Sequence, residues 1–558
     1  MIVSKDGLLK NMNPVTSTIS MALVLMFLLA GVFLTEGSAL FFHIISSWIL
    51  AYLKWYYIGI VASFLFFCIW LACSRHGNLR LGDDDSRPQY SNFAWFSMLF
   101  SAGMGIGLVF WSIAEPITHF QSNPFVEQGL TPEAAQVAMR LTFFHWGLHP
   151  WAIYVVVGLS LSYFSYRKKL PLTIRSALYP LIGDKIYGPI GHTVDILAVF
   201  GTIFGVATSL GLGVTQMNTG LNTMFGMDIS VGNQMLLILV ISSIATLSVV
   251  SGVGRGVRIL SEVNMWLTIG ILVFLLCFGP TRFLLGSLVQ NIGDYFSNLL
   301  ALSTWTDSYT NSQWQSTWTA FYWGWWMAWA PFVGMFIARI SKGRTIRQFI
   351  IGVLLVPSFL GFIWLTLFGS TALYLELFHH ITNESGQLVA AVGQAGVVEA
   401  VQNDVTTALY VTLDKLGAGF FGTIAAFIAT LLIATYFITS SDSGTLVITT
   451  ILSMGNENPP LGHRILWGLG EGAVAAILLL VGGLAALQTA AIIVALPFSL
   501  VMIIMMWGLV KDLRQQSLGD QALMPALDSI TVAVPTGLEN SLPNTELPST
   551  ELPSTELI

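Results

Sequence analysis

Trp323-Gly-Trp-Trp-Met-Ala-Trp-Ala-Pro-Phe-Val-Gly-Met335 packs four tryptophans into seven residues and then sets a proline inside an apolar run. On a helix Trp323 and Trp326 lie one turn apart, as do Trp325 and Trp329, so the indoles project in at least two directions at one depth. Indole faces attract cations. A methylated ammonium, which donates no hydrogen bond, is the ligand that an aromatic cage suits. The plainer reading is a belt of interfacial anchors; anchors sit at helix ends, whereas these stand beside Pro331, a residue expected to interrupt the helix.

Around this stretch the 558-residue chain is 54% hydrophobic and 9% charged, with a mean hydropathy of +0.74. Soluble proteins carry about a quarter charged residues, so the composition predicts an all-α polytopic membrane protein and excludes a nucleic-acid partner. The net charge of −6 is small for this length, and Cys68, Cys73 and Cys277 have neither disulfide nor metal-ligand spacing. Apolar runs long enough to span a bilayer fall at 17–35, 56–74, 93–117, 137–165, 189–213, 233–252, 257–280, 315–340, 346–374, 412–440, 463–483 and 487–510. That predicts twelve transmembrane helices. The first follows Lys5 and Lys10 without a small-residue cleavage signal and reads as a retained helix. Two mixed stretches, 36–54 and 283–303, read as interfacial.

An even number of spans puts both termini on one side. Of the 23 Lys and Arg residues only Lys54, Arg140, Arg282 and Lys415 fall on the other face, which makes the termini cytoplasmic and the expected location a bacterial cytoplasmic membrane, with lipid as the surrounding partner. The repeats of Glu-Leu-Pro-Ser-Thr between Ser541 and Ile558 predict a disordered tail, taken from 512 to 558.

Three further stretches carry chemistry. Gly103, Gly105 and Gly107 alternate in mid-span. Each weakens a helix by about 1 kcal/mol relative to alanine, and Gly105 is one more than small-xxx-small packing needs, so a broken helix is expected with backbone groups facing a site. His145-Trp-Gly-Leu-His-Pro-Trp-Ala-Ile-Tyr154 adds Trp146, Trp151 and Tyr154 as aromatic faces around a Pro150 distortion; His145 and His149 have a zinc-compatible spacing but no acidic partner nearby in sequence. Thr435-Tyr-Phe-Ile-Thr-Ser-Ser-Asp-Ser-Gly444 ends the tenth span in hydroxyls, which serve either as ordinary back-bonds or as oxygens for Na⁺. Glu115, Asp195, Glu262 and Asp442 sit near span ends. With no carboxylate at mid-depth, sodium is favoured over a proton relay.

Taken together, Phe110-Trp-Ser-Ile-Ala-Glu-Pro116 with its glycine stretch, His145–Tyr154, Trp323–Met335 running on to Arg347, and Thr439-Ser-Ser-Asp-Ser-Gly444 resemble the betaine/choline/carnitine transporter family over residues 15–512. The resemblance implies two N-terminal helices followed by a 5+5 inverted-repeat (LeuT-like) core, and a homotrimer. The corresponding segments are 1–92 (N-terminus and two helices), 93–280 (first repeat), 281–314 (interfacial linker), 315–511 (second repeat) and 512–558 (tail).

The resemblance also implies an aromatic box of Trp146, Trp151, Tyr154 and Trp326, flanked by Trp325 and Trp329, with the backbone of Gly103, Gly105 and Gly107 facing the substrate carboxylate. No cofactor is implied beyond Na⁺ as coupling ion. One Na⁺ site falls on the backbone of Ala102 and Met104 with Tyr436, Thr439 and Ser440. A second matches Thr202 and Phe332, but Val206 stands where the pattern has a threonine. Gly107 replaces the aspartate of choline-type relatives, favouring a zwitterion with its own carboxylate, whether quaternary ammonium or sulfonium. Asn264 and Val333 replace the arginine and methionine of the sodium-independent exchanger, favouring ion-driven uptake. The tail lacks the basic helix of osmosensing members.

The expected function is therefore Na⁺-coupled import of glycine betaine or a related compatible solute. The alternative is a proton-coupled or exchange-mode carrier of choline, carnitine, ectoine or a sulfonium analogue. An enzyme would need a nucleophile–base or metal set at depth, and a channel would need no cage.

Overall fold

Asn13 opens the first helix: its side chain accepts the Thr16 N–H at 3.0 Å and Pro14 fills the first turn, where a missing N–H is harmless. The computed structural model describes residues 3–531 other than 104, 252–255, 311, 383–386 and 418. Helix α1 (Pro14–Phe33) is followed at once by α2 (Thr35–Cys73), a single helix of 39 residues. At 1.5 Å per residue α2 is roughly 58 Å long, about twice the hydrocarbon thickness of a bilayer. The stretch 36–54, expected as a separate interfacial element, is instead its first half, because no proline breaks the run.

The third apolar run is two helices, α3 (Asn92–Gly103) and α4 (Ile106–Gln121), the break that its glycines predict. The fourth is also two. Helix α5 (Pro132–Trp146), capped by the Thr131 hydroxyl on the Ala134 N–H, meets α6 (Leu148–Ser162) at Gly147 (φ −91°, ψ −131°). The distortion thus falls at Gly147 and not at Pro150, whose ring sits in the first turn of α6, where no helical hydrogen bond is lost. The Tyr295 hydroxyl fills the break, accepting the Leu148 N–H at 3.1 Å.

After the single turn α7 (Tyr179–Ile182), α8 (Pro189–Phe225) ends on Gly226 in the left-handed region (φ 70°). Helices α9 (Val231–Ser251) and α10 (Gly256–Phe278) follow, and α11 (Thr281–Thr304) turns by 112° away from α10, a direction that fits the interfacial course expected for 283–303.

Helix α12 (Phe321–Ile340) carries the tryptophans and runs through Pro331 without interruption, contrary to the break expected there. Helix α8 lies hard against it on that side. A Cβ at Gly201 would come within 3.1 Å of Ala328 O and 3.3 Å of Pro331 Cγ, and one at Gly205 within 3.1 Å of the Trp329 nitrogen. Close packing holds the proline turn in register. Elsewhere along its length α12 crosses α6 at Gly334 and Gly158, again backbone to backbone.

Helix α13 (Ile346–Leu365) starts with a capping box between Thr345 and Gln348 and passes through a π-helical turn into α14 (Thr371–Leu377). The hairpin β1 (His380–Thr382) and β2 (Leu388–Ala390), α15 (Val397–Asn403) and α16 (Ala408–Lys415) lead to α17 (Phe420–Leu452). Helix α17 starts after Gly417 and Gly419, both with positive φ, and continues past Gly444 to Leu452, so the hydroxyl run lies inside the helix and not at its end. Its hydroxyls turn back on the ladder, Thr435 to Leu431 O and Thr439 to Thr435 O at 2.9 and 3.1 Å, which leaves the helix free to continue. Helix α18 (Leu461–Thr531) is broken at Gly482 and Gly483 (φ 58°, ψ −139°), between the two spans expected there.

Among the described residues eight helices are long and apolar enough to cross a membrane, or nine if Glu262–Phe278 and Thr281–Thr304 make one bent span. The protein is a multi-pass membrane protein. The chain divides into units Met1–Leu509 and Val510–Ile558. In the second, α18 continues to Thr531, so the tail expected from 512 begins as helix; 532–558 lies outside the described residues.

Candidate substrate and ion sites

Trp146 closes α5, Trp151 and Tyr154 lie on α6, and Trp326 lies on α12, so the Gly147 break and the α6–α12 crossing bring the four rings to one place. Trp146 and Trp326 meet at 4.9 Å between centroids and 72°, Tyr154 and Trp326 at 6.5 Å and 79°, and Trp151 and Tyr154 at 5.5 Å and 81°. Rings at near right angles meet edge to face, the arrangement of adjoining walls and not of a stack. Trp325 stacks on Trp326 at 4.8 Å, and Trp329 stands 6.4 Å from both. None of the six is more than 4% exposed, so the cage is shut off from bulk water.

Helix α4 supplies the floor. A Cβ at Gly107 would lie 2.4 Å from Trp325 Cη2 and 3.3 Å from Trp146 Cη2, so position 107 touches the cage and has no room for a side chain. Gly105 faces the other way, 3.7 Å from Ser440 Oγ by the same measure. Gly103 ends α3. Among the described residues the buried Tyr154 hydroxyl, Trp325 Nε1 and Trp329 Nε1 meet no hydrogen-bond partner. Two other indoles are tied down: Trp326 Nε1 donates to His145 O at 3.0 Å, and Trp146 Nε1 to Glu115 Oε2 at 2.9 Å.

Glu115 is the residue whose role the sequence reading missed. Fully buried, it also accepts from the Tyr322 hydroxyl at 2.5 Å, pairs with His145 Nδ1 at 2.6 Å and has His119 Nε2 at 3.4 Å. The acidic partner found wanting for His145 is thus 30 residues upstream, and Glu115-Pro-Ile-Thr-His119, one helical turn, was its signal. His149 does not join it. It bonds the Ser303 hydroxyl at 2.9 Å and stacks on Trp323. Glu115, His119 and His145 have metal-type donors within 4.8 Å of one another, but two ligands of one zinc ion lie about 3 Å or more apart, and 2.6 Å is a hydrogen bond. The cluster reads as a scaffold for Trp146.

Of the residues implied for Na⁺, Met104 lies outside the described residues and only the backbone course of Ala102 is described. Tyr436 and Thr439 face α10: the Tyr436 hydroxyl bonds Thr268 at 3.0 Å and Asn264 Nδ2 donates to the Thr439 hydroxyl at 3.4 Å. Thr202 on α8 returns its hydroxyl to Ala198 O, and Phe332 packs on Trp329. Val206, in the position of the absent threonine, abuts Gly444 of α17. Glu471, unnoticed in the sequence, is fully buried in the first half of α18, so a carboxylate does lie within a span.

A family model described as BCCT, betaine/carnitine/choline family transporter, matches residues 15–518. A glycine betaine transporter of Acinetobacter baylyi is 45% identical over 516 residues, 92% of this chain and 76% of the relative. A probable glycine betaine transporter of Desulfitobacterium hafniense is 44% identical over 499 residues, 89% and 96% of the two chains. An osmo-dependent choline transporter of Acinetobacter baylyi is 41% identical over 507 residues, 90% and 71%.

Proposed function

The chain belongs to the betaine/carnitine/choline family of transporters and is not an enzyme, and from its cage we propose that it imports glycine betaine or a related methylated zwitterion, coupled to Na⁺, by alternating access. The observation that carries this is Gly107 under the box of Trp146, Trp151, Tyr154 and Trp326. Each ring face contributes about 0.5–2 kcal/mol to holding an onium group, and position 107, with neither a side chain nor room for one, supplies no carboxylate to balance it. The substrate therefore brings its own. The unpartnered donors of Tyr154, Trp325 and Trp329 suit that carboxylate.

Na⁺ is assigned to Thr439, Ser440 and Tyr436 beside the α3–α4 break, with backbone from Ala102 and Met104. The closed cage is one state of a cycle in which the breaks at 103–106 and Gly147 act as hinges. The full architecture in this reading is twelve spans, two before a 5+5 inverted repeat, in a homotrimer of the bacterial cytoplasmic membrane with both termini inside. Choline is the second reading, supported by the choline transporter among the relatives.

Uptake of radiolabelled glycine betaine into proteoliposomes, with an inward Na⁺ gradient or with K⁺ in its place at equal osmolarity, tests both parts. Accumulation above equilibrium only with Na⁺ is the expected result. Uptake indifferent to Na⁺ removes the coupling, and choline uptake in place of betaine uptake selects the second reading.

A further inference from the structure

The buried carboxylates fall into two groups. Glu115 accepts from Tyr322, Trp146 and His145; Asp195 holds the Arg175 guanidinium at 2.6 Å; Glu376 accepts the backbone N–H groups of Ala395, Val397 and Val398 at 3.0, 2.6 and 2.9 Å. Each of these is matched by several donors or a cation. Asp442 and Glu471 are not. Glu471 accepts the Ser441 hydroxyl at 3.2 Å, and among the described residues its Oε1 meets no donor in hydrogen-bond geometry. Asp442, next along α17, accepts Ser248 Oγ from α9 at 2.7 Å, and among the described residues its Oδ1 meets none. Ser441, which Glu471 holds, and Asp442 are adjacent on α17, so the two acids lie at neighbouring positions, and among the described residues no Lys, Arg or His pairs with either.

A third oxygen points the same way. The fully buried Thr445 hydroxyl, one turn beyond Ser441, lies at the α18 face a turn from Glu471 and among the described residues meets hydrogen-bond geometry with no atom. Glycines bring the helices this close: a Cβ at Gly444 would lie 2.9 Å from Glu471 Oε1, and one at Gly468, a turn before Glu471, would lie 3.2 Å from Thr445 Oγ1. Among the described residues, helices α9, α17 and α18 therefore meet here on the oxygens of Ser248, Ser441, Asp442, Thr445 and Glu471. Two like charges buried without a counter-charge are strongly unfavourable, and an all-oxygen donor set selects a hard cation. Ca²⁺ takes six to eight oxygens, often through both oxygens of a carboxylate; here Ser248 and Ser441 already hold one oxygen of each acid.

We propose that Asp442, Glu471 and Thr445 bind one Na⁺ through their free oxygens, at a site distinct from Thr439 and Ser440. It rests on the Na⁺-coupled reading only for the identity of the ion. It would supply the second ion that Val206 denies to the Thr202–Phe332 position; Val206 instead packs against Gly444 beside Glu471.

The test is equilibrium binding of radioactive Na⁺ to the full-length protein in detergent, read as ions per chain at saturation. Glu471→Gln is expected to lose one ion per chain that Thr439→Ala retains, and Thr445→Val to weaken that ion severalfold. Thr445→Val buries no new polar group and carries the test if Glu471→Gln elutes as aggregate. Unchanged stoichiometry and affinity in both variants overturns the site. So does a protonated-carboxyl infrared band in the parent that disappears in Glu471→Gln with Na⁺ binding unchanged, which makes the pair a proton holder. Failure of betaine uptake with these binding results intact would sink the transport reading and leave the ion site standing.

Discussion

The indole of Trp146 donates to Glu115 Oε2 at 2.9 Å, so one wall of the aromatic cluster is held by a buried carboxylate. The same carboxylate takes the Tyr322 hydroxyl and His145, and the His145 carbonyl holds Trp326. Two cage walls thus depend on one acid. Glu115→Gln keeps the shape but turns one acceptor into a donor facing donors. Losing a hydrogen bond to a charged group costs about 1.5–3 kcal/mol, so betaine affinity should fall roughly ten- to a hundredfold. Competition binding on detergent-purified protein measures it. A variant that binds like the parent would show that Trp146 is held by packing alone.

Gly107→Ala should be nearly as damaging as a much larger substitution. The added methyl would lie 2.4 Å from Trp325 Cη2, and Trp325 cannot swing aside because it is stacked between Trp326 at 4.8 Å and Phe321 at 5.5 Å. Overpacking of this kind costs about 1–3 kcal/mol, borne by the cage rings. Uptake should fall at least about tenfold with the protein still inserted and monodisperse, and Gly107→Asp should do no better with choline. Choline uptake gained by Gly107→Asp would show that the cage has slack which the ring stacking denies.

These contacts also mark what the sequence could and could not reveal. Breaks at Gly103–Gly107 and Gly482–Gly483 were legible because glycine acts locally on the backbone. The convergence of the six aromatic rings was legible because they stand in two short stretches. Pro331 misled because its effect is set by α8, more than a hundred residues away, whose Gly201 and Gly205 keep the turn in place. The end of the tenth span was misjudged for a related reason: the hydroxyls of Thr435 and Thr439 satisfy their own helix, and α17 runs on to Leu452. Glu471 escaped because one acid in a long apolar run hardly alters its average hydropathy, and its partner Ser441 belongs to another helix.

Trp326→Ala removes the ring that touches Trp146, Tyr154, Trp325 and Trp329. The onium group loses a face worth about 0.5–2 kcal/mol, and the neighbouring walls lose the ring that spaces them. Betaine affinity should drop by about two orders of magnitude, whereas Trp326→Phe, which restores a face without the bond to His145 O, should recover part of it. Calorimetric titration of the purified protein separates the three. An affinity within about twofold of the parent for Trp326→Ala would place the binding site elsewhere.

Gly334→Ala tests whether the cage is set by helix packing at a distance. A Cβ there would lie 2.6 Å from Val157 Cγ1 and 3.0 Å from the Gly158 nitrogen, so α6 and α12 would have to part where their backbones touch. Trp151 and Tyr154 ride on α6 and Trp326 on α12, and Gly334 touches none of them. Strain of about 1–3 kcal/mol should lower the midpoint of thermal unfolding by several degrees and, because the box walls are carried apart with the helices, weaken betaine binding as well. A conservative change at an exposed position of α13, such as Leu360→Ile, should do neither. If Gly334→Ala lowered the unfolding midpoint but left betaine affinity unchanged, the α6–α12 crossing would hold the fold without setting the cage, and the spacing of Tyr154 from Trp326 would have to be fixed from within the box.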